Sequence, residues 1–298
     1  MSELHLSVVV VFRNMTREAT RTLFTLSPLY QRLVADCDYE VIAVDIGSEI
    51  PLELEEVRQF AGNVRLMRFA DAPSPVAAVN EAVLHSRGRA VSIAIDGARM
   101  LSPRVLYFTL QALKAYENPV VGTLSWHLGP KVQQLSMLDG YDQSVEDRLL
   151  ETVNWRKDGY ELFKIASLAA SSSKGWFGPI SESNFLTIRR EAWRDLGGFD
   201  ERFRTPGGGF ANLDFYREAC DRLGQLVLLL GEGTFHQFHG GVSTNAPPSA
   251  HPGAAFRAEY FDIRGKHYQN PTLAAEYIGA IHPQTYRFFP DNVVEGSK

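Results

Sequence analysis

The 298-residue chain is poor in cysteine: only Cys37 and Cys220 occur, far apart and without paired metal-ligand spacing, which excludes a disulfide-stapled or zinc-ribbon scaffold. Long apolar runs are also missing. The most hydrophobic stretches, such as 7–12 and 226–230, fall far below the roughly 18 to 20 residues a membrane-spanning helix needs, so no transmembrane segment is expected. Positive charge is not in excess, since 30 Lys plus Arg stand against 35 Asp plus Glu for a formal net charge of -5. No global field therefore draws the molecule to nucleic acid, and any anionic substrate must be met locally. Met1 leads through polar residues into a strand-like run rather than a signal peptide, which makes the cytoplasm the expected compartment. Glycine is absent from Phe12-Arg-Asn-Met-Thr16, where a dinucleotide-binding dehydrogenase needs a Gly-rich turn. No Gly-Lys-Ser/Thr follows any strand-like run, so a P-loop nucleotidase is excluded as well.

What is present alternates. Residues 6–12 form a continuous apolar, β-branched run suited to a strand buried on both faces, and 16–30 carry helical spacing at Leu23 and Leu26. Strand-like 39–45, helical 51–60, strand-like 64–69, helical 75–86 and strand-like 90–95 follow. This is the pattern of an α/β fold with a mostly parallel central sheet and crossover helices. Ser74-Pro75 and Ser102-Pro103 are expected to open helices, with serine as the cap and proline preset at the first turn. The stretch 122–178 loses the alternation and reads as acceptor-side structure with a mobile part around Ser171-Ser-Ser-Lys-Gly175. Strand-like 184–188, helical 190–196, a Gly207-Gly-Gly209 loop, helical 213–222 and strand-like 226–230 restore order. Gly-, Pro- and His-rich residues from 231 read as loop, and a helical tail begins at about 253. With no repeat or linker, the expected organisation is one domain over 1–245, its donor half about 1–125 and its acceptor half about 126–245, with 246–298 as a C-terminal helical extension packed on it.

Ligands of open parallel sheets bind beyond the carboxyl ends of the strands, which here finish in Arg13-Asn14, Asp45-Ile-Gly-Ser48 and Asp96-Gly-Ala-Arg99. The ordered set Ser7-Val-Val-Val-Val-Phe-Arg-Asn14, Val44-Asp-Ile-Gly-Ser48, Val79-Asn80, Ile95-Asp-Gly-Ala-Arg99 and Gly197-Gly-Phe-Asp200 resembles the family-2 glycosyltransferases over roughly residues 5–240. The resemblance implies a GT-A-type fold for nucleotide-diphosphate sugars and an inverting, hexosyltransferase-like enzyme. Its donor would be a UDP-sugar and its acceptor a glycan or other hydroxyl, in glycan or polysaccharide biosynthesis.

Site residues carry over one at a time. Phe12, Arg13 and Asp45 are expected around the nucleotide, although Ile46 replaces the second acidic residue of the family's Asp-Asp-Gly-Ser-like stretch. Asp96 matches the first carboxylate of the Asp-x-Asp motif, and Ala98 stands where the second belongs. Mn2+ or Mg2+ would then need a further ligand, for which His236 and His239 in Gly231-Glu-Gly-Thr-Phe-His-Gln-Phe-His-Gly-Gly241 are the natural suppliers. Arg13 and Arg99 stand beside the positions that lost polarity and could pair with phosphate as forked donors. Asp214, after the triple glycine, resembles the acidic helix residue of this family and the related galactosyltransferases and is the expected base. Its plain structural role would be first-turn helix stabilisation. The rival readings are a catalytically inactive nucleotide-sugar-binding module, motivated by Ile46 and Ala98, and a metallohydrolase built on the two histidines, which lacks further clustered ligands.

Overall fold

The computed structural model describes residues 4–35, 37–59, 63–246 and 248–290. Its strands are β1 (Leu6–Phe12), β2 (Tyr39–Ile46), β3 (Val64–Phe69), β4 (Ala90–Ala94), β5 (Arg99–Leu101), β6 (Val120–Leu128), β7 (Ala166–Leu168), β8 (Leu186–Arg189), β9 (Leu226–His236) and β10 (Ala275–Gly279). Helices are α1 (Thr16–Leu26), α2 (Leu54–Arg58), α3 (Val76–Leu84), α4 (Val105–Ala115), α5 (Gln133–Ser136), α6 (Gln143–Glu151), α7 (Arg190–Leu196), α8 (Ala211–Leu223) and α9 (Gly253–Arg264). The main sheet runs β10-β9-β6-β8-β4-β1-β2-β3, with β5 added to β9 and β7 to β6. Strands β1 to β4 are mutually parallel, β8 is antiparallel to β4 and β6, and β6, β9 and β10 are parallel again.

The unbroken valine run of β1 is explained by burial on both faces. Val9 and Val11 join the core under α3, α7 and α8, whereas Val8, Val10 and Phe12 join the core under α1, α2 and α4. Each such side chain contributes about 1.5–3 kcal/mol when fully removed from water. The chain builds β1, β2 and β3 outward, then returns to place β4 on the other side of β1. The switch point between β1 and β4 therefore opens a crevice at their carboxyl ends, where ligands of such sheets bind.

Several elements depart from the sequence expectation for physical reasons. The first helix stops at Leu26 because Ser27-Pro28 cannot extend it, and the helix expected over 51–60 is only Leu54–Arg58, its last position lying outside the described residues. The two serines expected as caps act mainly in tertiary structure, although Ser74 Oγ also accepts from the Val76 amide at 3.5 Å. Ser74 Oγ donates to the Phe203 carbonyl at 2.7 Å, and Ser102 Oγ donates to Glu232 at 2.5 Å. The presumed loop after Leu230 is six further residues of β9, carried past a register shift at Gly122/Leu124 of β6. Gly233 is glycine because the Trp126 ring fills its side-chain space, with a Cβ there falling 2.1 Å from the ring. Over Ala170–Ser172 the chain makes a single 3-10 turn, and Ser172 is buried with its hydroxyl accepting from the Ser125 amide. In the C-terminal part α9 is followed by β10, which extends the sheet beside β9, and then by a 3-10 helix over Pro283–Phe288.

Candidate functional site

The crevice at the switch point is a cleft of about 490 Å³ whose walls include Arg13 and Asn14 after β1, Ile46 at the end of β2, Ile95 and Asp96 after β4, and the loop 239–244. Asp96 is the one carboxylate lining it among the described residues. Gly97 sets its position: any side chain there would strike the Val11 carbonyl at 2.3 Å and the Phe12 ring, so only glycine lets the chain turn against the end of β1. The turn is held by the Ala98 amide donating to Asp96 Oδ1 at 3.1 Å.

Both histidines singled out in the sequence meet this carboxylate. His236 Nε2 lies 2.8 Å from Asp96 Oδ2 and His239 Nε2 lies 3.6 Å from Oδ1. The three groups offer ligand atoms within 4.8 Å of one another, little more than the roughly 4 Å separating opposite ligands of one first-row ion bound at about 2.1 Å. Strand β9 carries His236 because the sheet continues to that residue, paired with Arg99 of β5 and His127 of β6. Burial pushes the His236 imidazole down to about 4, so the ring is neutral at pH 7. Burial would raise Asp96, but the facing imidazoles of His239 and His236 overcome it and hold the carboxyl well below the usual range. His239 is raised overall, the ionised Asp96 outweighing burial.

The donor set fits a cation. His236 Nδ1 sits 2.7 Å from Gln133 Oε1, an acceptor, and so carries the ring proton. Its Nε2 faces the Asp96 carboxylate at 2.8 Å, donating to it when protonated and offering a lone pair to a cation when not. Neutral imidazole nitrogens with a carboxylate oxygen suit a divalent first-row ion.

The remaining expected residues are distributed differently. Arg13 lines the cleft and is tethered to Asp71 at 2.7 Å, both groups being partly exposed. Phe12 is wholly buried in the core beneath β1 and does not line the cleft. Asp45 is buried with both oxygens committed to its own loop, accepting from the Ser48 amide at 3.2 Å and the Leu52 amide at 2.7 Å. It shapes the turn after β2, while its neighbour Ile46 reaches the cleft. Arg99 is buried behind Asp96, 3.5 Å from Oδ2, rather than facing the opening. Asp214 is not brought to the cluster at all. Its oxygens accept from Arg264 Nε at 2.9 Å and Nη2 at 2.5 Å, a forked pair that ties α8 to α9 and raises the guanidinium further. Gln133 and Asn245, both buried against the histidines, were not singled out in the sequence. Isolated amide residues in irregular segments carry no pattern that would have marked them.

The fold is of the GT-A type, with a large, mostly parallel sheet and flanking helices. No family model matches the sequence, and no curated protein matches it. Among solved structures, S. aureus TarS 1-349 superposes with a TM-score of 0.53 at 14% identity, covering 78% of this chain and 60% of that one. The longer S. aureus TarS structure gives 0.53 at 13% identity over 80% of this chain and 37% of its own. S. aureus TarS 1-349 in complex with UDP-GlcNAc gives 0.51 at 15% identity over 79% and 60%. The chain thus spans 60% or less of the TarS chains it matches, and at these identities the likeness establishes the fold.

Proposed function

We propose that the chain is a glycosyltransferase that moves a sugar, with inversion, from a nucleotide-diphosphate donor to an acceptor hydroxyl. The observation that carries this reading is the cluster of Asp96, His236 and His239, with ligand atoms within 4.8 Å of one another, at the switch-point cleft that Asp96 and His239 line. A TarS structure of the same fold holds UDP-GlcNAc, which supports a uridine diphospho-sugar as the donor class.

In this reading Asp96, His236 and His239 would hold a divalent cation, which supplies a Lewis acid against the charge that develops on the leaving diphosphate. Arg13 at the cleft wall stands within the opening and offers its guanidinium to the donor, in exchange for or alongside Asp71. Ile46, Ile95, Pro73 and Pro75 give the cleft an apolar wall that excludes water from the donor. Two imidazoles among three ligands favour Mn2+ over Mg2+, whose small hard ion prefers oxygen.

A second reading, a nucleotide-sugar-binding module without transfer, is favoured by one observation: Asp214, the expected base, is bound to Arg264 and absent from the cleft lining. One set of measurements separates them. Thermal melts with UDP-sugars should show stabilisation that requires Mn2+, approaching about 2.7 kcal/mol at a hundredfold excess over Kd. Asp96→Ala should remove it and abolish sugar transfer while the fold persists. Mn2+-dependent binding with no transfer to any acceptor or to water supports the binding module, and no stabilisation by any nucleotide sugar overturns both.

A further inference from the structure

Both histidines of the cluster are held by one pair of buried amides. The orientation of that pair can be read from groups that have no choice of role. Backbone amides of His239, Gly240 and Gly241 point at Asn245 Oδ1 at 3.1, 3.1 and 3.3 Å. Since a backbone N–H only donates, that side-chain atom is the carbonyl oxygen, and the other end of Asn245 is its NH2. Asn245 Nδ2 donates to Gln133 at 2.8 Å, so the Gln133 atom there is an oxygen. The opposite end of Gln133 agrees, with Nε2 donating to the His236 carbonyl at 3.0 Å. The oxygen so fixed is the atom that faces His236 Nδ1. Gln133 is itself pinned at the start of α5, its backbone amide donating to His127 Nδ1 at 2.8 Å.

We propose that Gln133 and Asn245 are the positioning residues of the site: together they force the His236 proton onto Nδ1, leaving Nε2 as a ligand toward Asp96, and fold the His239–Gly241 turn that carries the second imidazole. The proposal rests on the cation reading of the cluster. Asn245 acts at a distance, through the three amides for His239 and through Gln133 for His236, so neither amide touches the cation or the donor. Such outer partners fix ring tautomer and orientation, and their loss commonly costs about 10- to 100-fold in metal affinity.

The sharpest variant is Asn245→Asp. It keeps an oxygen for the three backbone amides but replaces the NH2 that fixes Gln133 by a second acceptor. The Gln133 amide must then turn its NH2 toward the introduced carboxylate and toward His236 Nδ1, driving the ring proton to Nε2. The test is 15N NMR of the histidine rings in the full, cation-free chain, with titration of Mn2+ alone. Expected are an Nδ1-protonated His236 in the wild type, an Nε2-protonated or mixed ring in Asn245→Asp, and a Kd for Mn2+ raised about 10- to 100-fold in Asn245→Asp and Gln133→Leu. Gln133→Glu keeps the acceptor for Nδ1–H and should retain the wild-type tautomer even where Gln133→Leu melts early. An Nε2-protonated wild-type ring, or an unchanged tautomer and Mn2+ affinity in Asn245→Asp, overturns the proposal. If the wild-type chain binds no Mn2+, the cation reading falls by itself, and the ring tautomer alone then decides for or against the positioning role.

Discussion

At the scale of single residues, the same side-chain chemistry has been put to opposite uses. Asp96 and Asp45 both terminate parallel strands, yet Asp96 opens onto the cleft while Asp45 is consumed by two amides of its own turn. Asp214 makes the point quantitatively. A general base replaced by its amide should cost roughly 10² to 10⁴ in rate with donor binding intact, whereas a carboxylate that only anchors Arg264 should leave turnover near normal. The forked pair with Arg264 favours anchoring. Asp214→Asn is therefore expected to lose about 1.5–3 kcal/mol of stability, the worth of a hydrogen bond to a charged group, with little change in transfer at saturating donor. A rate loss of a hundredfold or more with unchanged melting would restore Asp214 as the base.

Among the elements, β9 does the most. It pairs β6 and β10, receives β5, and delivers two buried ionisable groups from one strand: His236 to Asp96 at the cleft, and Glu232 to Ser102 and Tyr160 in the interior. Glu232 accepts from Ser102 Oγ at 2.5 Å, Tyr160 OH at 2.6 Å and the Arg104 amide at 3.1 Å, but burial dominates and pushes its carboxyl from 4.5 to about 7. Between those values the folded chain binds more protons at this site than the unfolded chain. The associated stability is thus complete below about pH 4.5 and is lost as pH rises through about 7. Urea midpoints should fall between about pH 5 and pH 8, and Glu232→Gln should flatten that fall; an identical slope in the variant would assign it elsewhere, with Glu146, also raised to about 7 by burial, the next candidate.

For the whole molecule, the C-terminal part is structural. Strand β10 covers the edge of β9, and Phe289 stacks on Trp176 with ring centroids 4.5 Å apart, closing an aromatic cluster that includes Trp126, Phe163, Phe235 and Phe288. Deleting the chain from Lys266 onward would bare the hydrogen-bonding edge of a hydrophobic strand and open that cluster, a combination that favours edge-to-edge association. The truncated protein is expected to melt several degrees lower and to scatter light on warming. A monodisperse truncated chain with wild-type melting would show that β10 is dispensable.

The amino-acid order by itself determined the α/β alternation, the two-sided burial of β1, and the strand-end placement of Asp96, because periodicity and chain punctuation are local properties. It also marked His236 and His239, whose residue type and neighbouring glycines are visible without coordinates. What lay beyond it depended on long-range contacts. Glycines at 231 and 233 read as loop formers, and only the tertiary structure explains them within a strand: the Ala280 carbonyl and a positive φ at Gly231, the Trp126 ring at Gly233. Asp214 reads as a base from sequence, and only the structure shows Arg264, fifty residues later, donating to both its oxygens. The Gln133–Asn245 pair, 112 residues apart in sequence, exists as a unit only where the packed elements bring two lone amides together. Hydrogen-bond partnership between distant side chains has no period and no spacing, so tertiary structure alone decided which polar groups serve the cleft and which serve the fold.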